Sequence, residues 1–176
     1  MDILPTLRTG KLIVIYGPDA ASHESMTLIA ELGFRGPVTI LDGGNRYKPN
    51  KMAILLGRKS LDITPAANRL FGRRAFTCYE MTTLLWTTPH LHQPYVILDL
   101  LQTFYDDHTP THEVSRLLKS CLGQIQRLQS SAPVVVTLSP PMTEERAFLL
   151  DEVYEKADQV FYCEEVESHI LQPVLF

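Results

Sequence analysis

The sequence predicts one α/β domain, in which helices cover both faces of a mainly parallel central sheet. Short, continuous apolar runs at 12–16, 94–100 and 133–138 are typical of strands buried on both faces. Segments with a helical spacing of apolar residues separate these runs, as expected for helices that connect parallel strands. The 176 residues suffice for one domain with a sizeable core and are few for two. We therefore expect a single domain over 1–176, with its core at about 11–163.

The first half of the chain gives its elements in order. The apolar run at 12–16 predicts a strand, and the pattern after it predicts a helix from Ser22 or His23 to Leu32, with Gly33 as its C-terminal stop. A second strand is expected at 37–42, because two glycines end its apolar run. The shorter elements expected next are a helix at 51–56, a helix at 66–71, a strand at 74–77, and a helix at 79–87 with Met81, Leu84, Leu85 and Trp86 on its apolar face.

The second half of the chain has stronger signals. The run at 94–100 predicts a strand that closes on Asp99. An apolar stripe with a helical period predicts a long amphipathic helix at 111–129. The elements expected after it are a strand at 133–138, a helix at 144–157 with Thr143 as its N-cap, and a strand at 160–163.

Composition and cysteine content indicate a globular protein in a reduced environment. Apolar residues make up 45% of the chain and charged residues 20%, which is ordinary for a globular protein. No apolar run approaches the roughly 18 residues that a membrane span needs, and the N-terminus lacks the pattern of a signal peptide. Cys78, Cys121 and Cys163 are far apart and form no CxxC pair. We therefore expect free thiols and a cytoplasmic or nuclear location.

Charge is distributed unevenly along the chain, whose net charge is −4. A basic block at 46–74 holds eight of the 16 basic residues and one acid, Asp62, whereas 144–167 is mostly acidic. Such a block contacts nucleic-acid phosphates or an acidic protein surface, or it is simply a solvated surface. The residues that we expect to make the contact are Lys48, Lys51, Arg69, Arg73 and Arg74.

Residues 11–32 have the order strand, small-residue turn and helix, which is the architecture of a phosphate-binding loop. That motif needs Gly, four residues, Gly, Lys and then Ser or Thr. Counted from Gly17, the chain has Ser22, His23 and Glu24 at the last three positions. A largely neutral imidazole replaces the phosphate-binding lysine, and an acid that repels triphosphate replaces the magnesium-binding hydroxyl. We therefore expect the backbone of the loop without its chemistry.

The order of motifs from about 11 to 163 resembles the RecA/Rad-type recombinase ATPase core, including recombinase paralogues and KaiC-like proteins. The stretch at 41–50, Leu-Asp-Gly-Gly-Asn-Arg-Tyr-Lys-Pro-Asn, is similar to the family's segment after the second strand. The stretch at 74–81 resembles another family segment, and 95–99 resembles the Walker B strand with its metal-side aspartate. The resemblance implies a three-layer fold of the P-loop NTPase type. It also implies that the family's catalytic glutamate falls on Gly44 and is absent.

Phosphoryl transfer in such proteins needs a phosphate-binding lysine, a magnesium-binding hydroxyl, a catalytic carboxylate and a metal-side aspartate. Of these four groups the resemblance finds only the last, Asp99. It therefore implies a vestigial nucleotide-binding site with no catalytic residue, metal or other cofactor. The residues of this site are Gly17, Ser22, His23, Glu24, Ser25 and Asp99.

The function implied by the resemblance is that of a catalytically inactive, RecA-like accessory or adaptor subunit in DNA recombination or repair. Its partners would be other RecA-like subunits or another protein, with DNA bound through 46–74. The acidic region 144–167 would meet the basic block of a neighbouring subunit. The alternative is a divergent nucleotide-binding ATPase or KaiC-like switch, which would bind ATP and magnesium. A third interpretation is a protein-interaction domain that binds no nucleic acid.

Four histidines raise the separate hypothesis of a metal site, because His90 and His92, and likewise His108 and His112, are closely spaced. Prolines flank the first pair, and no HExxH pattern occurs in the chain. We therefore expect no metal site at these positions.

Overall fold

The computed structural model describes residues 3–164, in which strands and helices alternate along the chain. Three-residue 3-10 turns at Gln102–Phe104 and Glu144–Arg146 lie between the regular elements, and another at Leu4–Thr6 precedes them. The regular elements are β1 (Leu12–Tyr16), α1 (Ser22–Arg35), β2 (Val38–Asp42), α2 (Pro49–Gly57), α3 (Thr64–Ala67), β3 (Leu70–Arg74), α4 (Cys78–Thr87), β4 (Tyr95–Leu98), α5 (Thr111–Gln129), β5 (Val134–Leu138), α6 (Phe148–Tyr154) and β6 (Gln159–Tyr162).

The six strands form one sheet in the order β3-β2-β4-β5-β1-β6, and every pair is parallel. This confirms the predicted α/β class, and the sheet is wholly parallel where we expected it to be mainly so. One apolar core lies between the sheet and α1–α3, and a second lies between the sheet and α4–α6, which fits three layers. The order differs from the 3-2-1-4-5-6 order of classic dinucleotide-binding folds. In the sheet, β5 lies between β1 and β4, and all three strands run parallel. Their carboxyl ends therefore lie side by side.

The predicted end of the first helix is wrong. Helix α1 continues through Gly33 to Arg35, and the amide of Gly36 bonds to the carbonyl of Leu32 at 2.9 Å. Gly33 serves packing instead, because a Cβ there would lie 3.0 Å from Cδ2 of Leu70. The glycine therefore lets α1 approach β3 closely.

The predicted helix at 66–71 and the predicted strand at 74–77 are also wrong. The helix is limited to Thr64–Ala67, and the strand is Leu70–Arg74. Pairing with β2 determines this outcome, since Val38 lies opposite Leu70 and Asp42 opposite Arg74. Tertiary pairing thus overrides the local helical pattern.

The predicted helix at 144–157 is shorter than expected, because α6 begins at Phe148. The side chain of Thr143 makes no capping hydrogen bond within the described residues, so its predicted role as N-cap is wrong. Arg146 is buried and donates to the carbonyls of Asp106 and Thr109, at 3.2 and 2.6 Å. These bonds tie the turn before α6 to the loop before α5.

Trp86 was expected on the apolar face of α4, but its side chain is 66% exposed. The acidic residues Glu165 and Glu167 lie outside the described residues. No helix within 3–164 combines the length and the apolar character that a membrane crossing requires.

Candidate functional site

The candidate site lies at the edge of the sheet where the parallel strands end. Gly17 follows β1, Asp42 ends β2, Asp99 follows β4 and Ser139 follows β5. In open parallel sheets, ligands bind beyond the carboxyl ends of the strands. The fold therefore brings together the strand ends that the sequence singled out.

The loop after β1 has an unusual backbone. Asp19, Ala20 and Ala21 have φ values of 48°, 52° and 48°, so three successive residues other than glycine are left-handed. This conformation costs roughly 1–2 kcal/mol per residue. Gly17 itself is extended, and its missing side chain makes room for Cys163, whose Cβ and carbonyl oxygen would each lie 2.9 Å from an added Cβ.

Helix α1 begins directly after this loop, as the sequence predicted. Ser22, His23 and Glu24 line the pocket in front of the helix, but no side chain of residues 3–164 caps its first amides. Ser25 does not face the pocket, because it is fully buried and donates to the carbonyl of Ser22 at 3.2 Å. A turn and a helix thus follow β1, and only part of the predicted site residues reach the pocket.

Asp99 is the most enclosed charged residue of the site. Its side chain is 0% exposed and its φ is 50°. One carboxylate oxygen, Oδ1, accepts from the hydroxyl and the amide of Ser139, at 2.7 and 3.2 Å. The other, Oδ2, accepts from Nε of Arg46 at 2.7 Å. Both oxygens of the predicted metal-side aspartate are therefore bonded within the protein.

The guanidinium of Arg46 bridges two strand ends. Besides its bond to Asp99, its Nη1 donates to Oδ1 of Asp19 at 3.0 Å. Burial acts to lower the pKa of Arg46, but the bonds to Asp99 and Asp19 outweigh it and raise the pKa. Arg46 thus carries a permanent positive charge between the loop after β1 and the end of β4.

Sequence reasoning missed this role of Arg46. The residue was counted in the basic block, yet its partners are 53 and 27 positions away in the chain. The turn that precedes it, Asp42-Gly43-Gly44-Asn45, was the available signal that the chain folds back over the sheet edge here. Nothing in the pattern indicated which carboxylates it would meet.

Asp42 holds the turn that presents Arg46. Its buried carboxylate accepts from the amides of Arg46 and Tyr47, at 2.9 and 3.0 Å, and from Nε of Arg74 at 3.1 Å. The turn packs so closely on β4 that a Cβ at Gly44 would lie 2.5 Å from both Cβ and Oδ2 of Asp99. The position that the resemblance gives to a catalytic glutamate therefore has no room for a side chain.

A pocket of about 820 Å³ opens between α1 and α2 beside this turn. Lys48, Lys51 and Arg58 line one wall, and among residues 3–164 none of them forms an ion pair. Glu24 and Glu164 contribute acids to the lining. The pocket is therefore lined by both basic and acidic side chains.

The five basic residues expected to contact a partner lie in two parts of the fold. Lys48 and Lys51 line the pocket, whereas Arg69, Arg73 and Arg74 belong to β3 or its start. Arg69 lies about 13 Å along the strand from Arg73, at 3.3 Å per residue. Arg69 donates to the carbonyl of Phe34 at 3.3 Å, and Arg74 donates to Asp42 and to the carbonyl of Tyr47. Within 3–164, Arg73 reaches only Oγ1 of Thr87, at 3.5 Å.

Two of the four histidines considered as metal ligands have protein partners for their rings. Nε2 of His90 lies 3.0 Å from Oγ of Ser130, and Nδ1 of His92 lies 3.3 Å from the carbonyl oxygen of Ser131. Within 3–164, no group of three or more histidine, cysteine or acidic side chains is arranged to hold a metal ion.

Comparison with known proteins adds no relative to this description. The chain matches no protein-family model and no curated protein sequence.

Proposed function

We propose that the chain is a RecA-like domain without ATPase activity, which acts as an accessory or adaptor subunit through binding. The observation that carries the proposal is the guanidinium of Arg46 between Asp99 and Asp19. The guanidinium carries a positive charge and occupies the position beside Asp99 where a magnesium ion would have to bind. A domain that does not hydrolyse ATP can act only by binding a partner.

The residues of the site do not fit a magnesium nucleotide. Mg²⁺ demands oxygen ligands at about 2.0–2.1 Å in octahedral geometry, and Oδ2 of Asp99 already accepts from Arg46. His23 stands where the phosphate-binding lysine is needed, and Glu24 stands where the hydroxyl is needed. No step of phosphoryl transfer is therefore assigned to this chain.

The role in DNA recombination or repair derives from the resemblance to recombinases alone. Lys48 and Lys51 remain candidates for contact with a nucleic acid or an acidic protein, because both are exposed and lie together at the pocket. A steep fall of DNA affinity with salt would mark phosphate contact.

A second candidate function is a switch that still binds nucleotide. The observation in its favour is the pocket beside the loop after β1, since Lys48, Lys51 and Arg58 offer positive charge there. Under this alternative ATP and magnesium would be ligands.

Binding and hydrolysis of Mg-ATP by the full chain discriminate between the two functions. Ligand binding to the folded state would raise the melting temperature. We expect no phosphate release above the protein-free blank, and no rise in melting temperature when Mg-ATP is added. The matched control is Asp99→Asn, which removes the aspartate charge with little change in shape. Phosphate release that Asp99→Asn abolishes would overturn the proposal, and a thermal shift without phosphate release would favour the switch.

A further inference from the structure

Arg146, in the turn before α6, carries a buried positive charge without a counter-charge. Its side chain is 4% exposed, and it forms no ion pair among residues 3–164. One end of its guanidinium, Nη2, donates to the carbonyls of Asp106 and Thr109, at 3.2 and 2.6 Å. The other end, Nη1, is buried and has no hydrogen-bond partner in the described part of the chain. Because a buried charge is costly unless it is paired and hydrogen-bonded, this position favours an anion.

The guanidinium of Arg146 lies at the N-terminus of α5, since Thr109 is two residues before the first residue of that helix. The N-cap residue is Pro110, whose side chain makes no capping hydrogen bond. The amides of Thr111 and His112 have no acceptor within 3–164. The free amides and the dipole of a long helix favour negative charge at this end. A buried guanidinium and uncapped helix amides thus favour an anion at the same place.

The acids nearest in sequence do not supply this anion. Asp106 accepts from a backbone amide of its own loop at 2.9 Å, and Glu113 accepts from Arg116 at 2.6 Å. Asp107 is exposed. None of the three acids forms an ion pair with Arg146. The counter-charge therefore comes from a group that the unmodified chain does not carry here.

Threonine or serine followed by proline is the pattern that proline-directed protein kinases phosphorylate. It occurs at Thr64, Thr88, Thr109 and Ser139. Thr88 and Ser139 are 2% and 5% exposed, and their hydroxyls donate to acceptors inside the protein. Thr64 is exposed and Thr109 is partly exposed, so these two hydroxyls are the accessible ones. Of the two, Thr109 is the one whose carbonyl contacts the buried guanidinium of Arg146.

We propose that Thr109 is a phosphorylation site, and that Arg146 and the first amides of α5 hold its phosphate. A proline-directed protein kinase transfers the γ-phosphoryl group of ATP to the threonine. The bond between this group and ADP breaks, a bond to Oγ1 of Thr109 forms, and the hydroxyl proton passes to a base of the kinase.

The geometry around Thr109 suits a phosphate. In the unmodified chain its Oγ1 lies 3.9 Å from Sγ of Cys78, a weak contact that leaves the side chain free to turn towards Arg146. Phosphothreonine carries nearly two negative charges and three acceptor oxygens, which match an arginine fork and helix amides. The phosphate would add a second connection between the loop before α5 and the turn before α6. None of these residues lines the pocket beside α2, so the inference is independent of the proposed loss of ATPase activity.

Phosphorylation of the full chain tests the proposal. The substrate is Thr64→Ala, which leaves Thr109 as the accessible site, and the kinase and ATP are removed before any measurement. Mass spectrometry should find one phosphate, on Thr109. The melting temperature should rise by about 3–6 °C, as one to three new charge-assisted hydrogen bonds form. Hydrogen exchange at the amides of Thr111 and His112 should slow at least tenfold.

Two results of this experiment would overturn the proposal. One is a kinase that modifies Thr64 of the unsubstituted chain but leaves Thr109 unmodified. The other is a phosphate on Thr109 that changes neither the melting temperature nor the exchange of the two amides. Both comparisons keep Arg146 in place, so they hold even where a variant at that position fails to fold.

The matched control is Thr109→Ala phosphorylated at Thr64, which places the same group on the same dipeptide away from Arg146. Its melting temperature should change by no more than about 1 °C, as expected for an exposed charge. In Arg146→Gln, phosphorylation of Thr109 should no longer raise the melting temperature, and Arg146→Lys should recover part of the rise. An equal rise with glutamine at this position would contradict the role of Arg146.

Inorganic phosphate distinguishes a covalent phosphate from a free one. Millimolar phosphate should not stabilise Thr109→Ala. If it raised the melting temperature of this variant as much as phosphorylation raises that of Thr64→Ala, the site would bind a free anion and the assignment to Thr109 would be wrong. None of these results depends on whether the chain binds or hydrolyses Mg-ATP, so failure here and failure of the proposed function are distinguishable.

Discussion

At the scale of single residues, the pair of Arg46 and Asp99 determines what the site can do. Asp99 is buried, and removal of the guanidinium would leave its carboxylate, among residues 3–164, with only the Ser139 hydrogen bonds. Breaking one partner of a buried ion pair costs about 3–5 kcal/mol. We expect Arg46→Ala to lower the free energy of unfolding by about this amount, as measured by urea denaturation.

The double variant Arg46→Ala with Asp99→Asn separates charge from packing. Because the amide carries no charge, the second substitution should recover part of the loss, giving a coupling energy of roughly 1–3 kcal/mol in a double-mutant cycle. Strict additivity of the two substitutions would contradict the ion pair as the source of stability.

At the scale of elements, the loop between β1 and α1 carries conformational strain. Ala20 is left-handed although alanine disfavours that region. Glycine adopts it freely, so we expect Ala20→Gly to raise the free energy of unfolding by roughly 0.5–1 kcal/mol despite the loss of a buried methyl group. Chemical denaturation of the variant checks this.

The control for this substitution is Ala53→Gly, on the exposed side of α2. In an ordinary helix interior the same change should lower stability by about 1 kcal/mol. Opposite signs for the two variants would support strain in the loop, whereas a loss of stability in both would argue against it.

At the scale of the whole molecule, Asp158 links segments that are distant in sequence. Its carboxylate accepts from Nζ of Lys11, the amide of Leu12 and Nε2 of Gln129, at 2.7, 2.8 and 3.1 Å. The hydrogen bond from Lys11, followed by that from Leu12, lowers the pKa of Asp158 below its ordinary value of 3.8. The resulting stabilisation is present above pH 3.8 and is lost as the pH falls through the lowered pKa.

We therefore expect Asp158→Asn to lower the melting temperature at neutral pH by about 2–4 °C, since a largely solvated pair contributes at most about 1 kcal/mol. The difference from the unsubstituted chain should shrink as the pH falls below 3.8. Thermal unfolding followed by circular dichroism measures it. Asp107→Asn, at an exposed side chain without a hydrogen bond inside 3–164, should change little at any pH.

Regular elements were predictable where burial imposes a simple period. The strands at β1, β2 and β5 and the helix α5 follow from apolar runs or from an apolar stripe, because each buries a whole face. Strand β3 was misplaced because four of its five residues are exposed and carry no burial pattern. Its position depends on pairing with β2, which is not encoded locally.

The candidate site was predictable only in outline. Asp99 at a strand end and the loop before α1 followed from the order of apolar runs and small residues. The bond from Arg46 to Asp99 depends on side chains 53 positions apart, and the left-handed run at Ala20 and Ala21 contradicts residue preference. Both features arise from tertiary packing, which a single sequence does not record.

The tight contact between Gly44 and Asp99 also restricts how this chain can change over generations. Any first substitution at position 44 introduces a Cβ into atoms 2.5 Å away. A descendant that acquired an acid there would first have to shift the end of β4 or replace the aspartate. The order of substitutions is thus constrained, because a single substitution cannot place a carboxylate at position 44 while Asp99 and the end of β4 stay where they are.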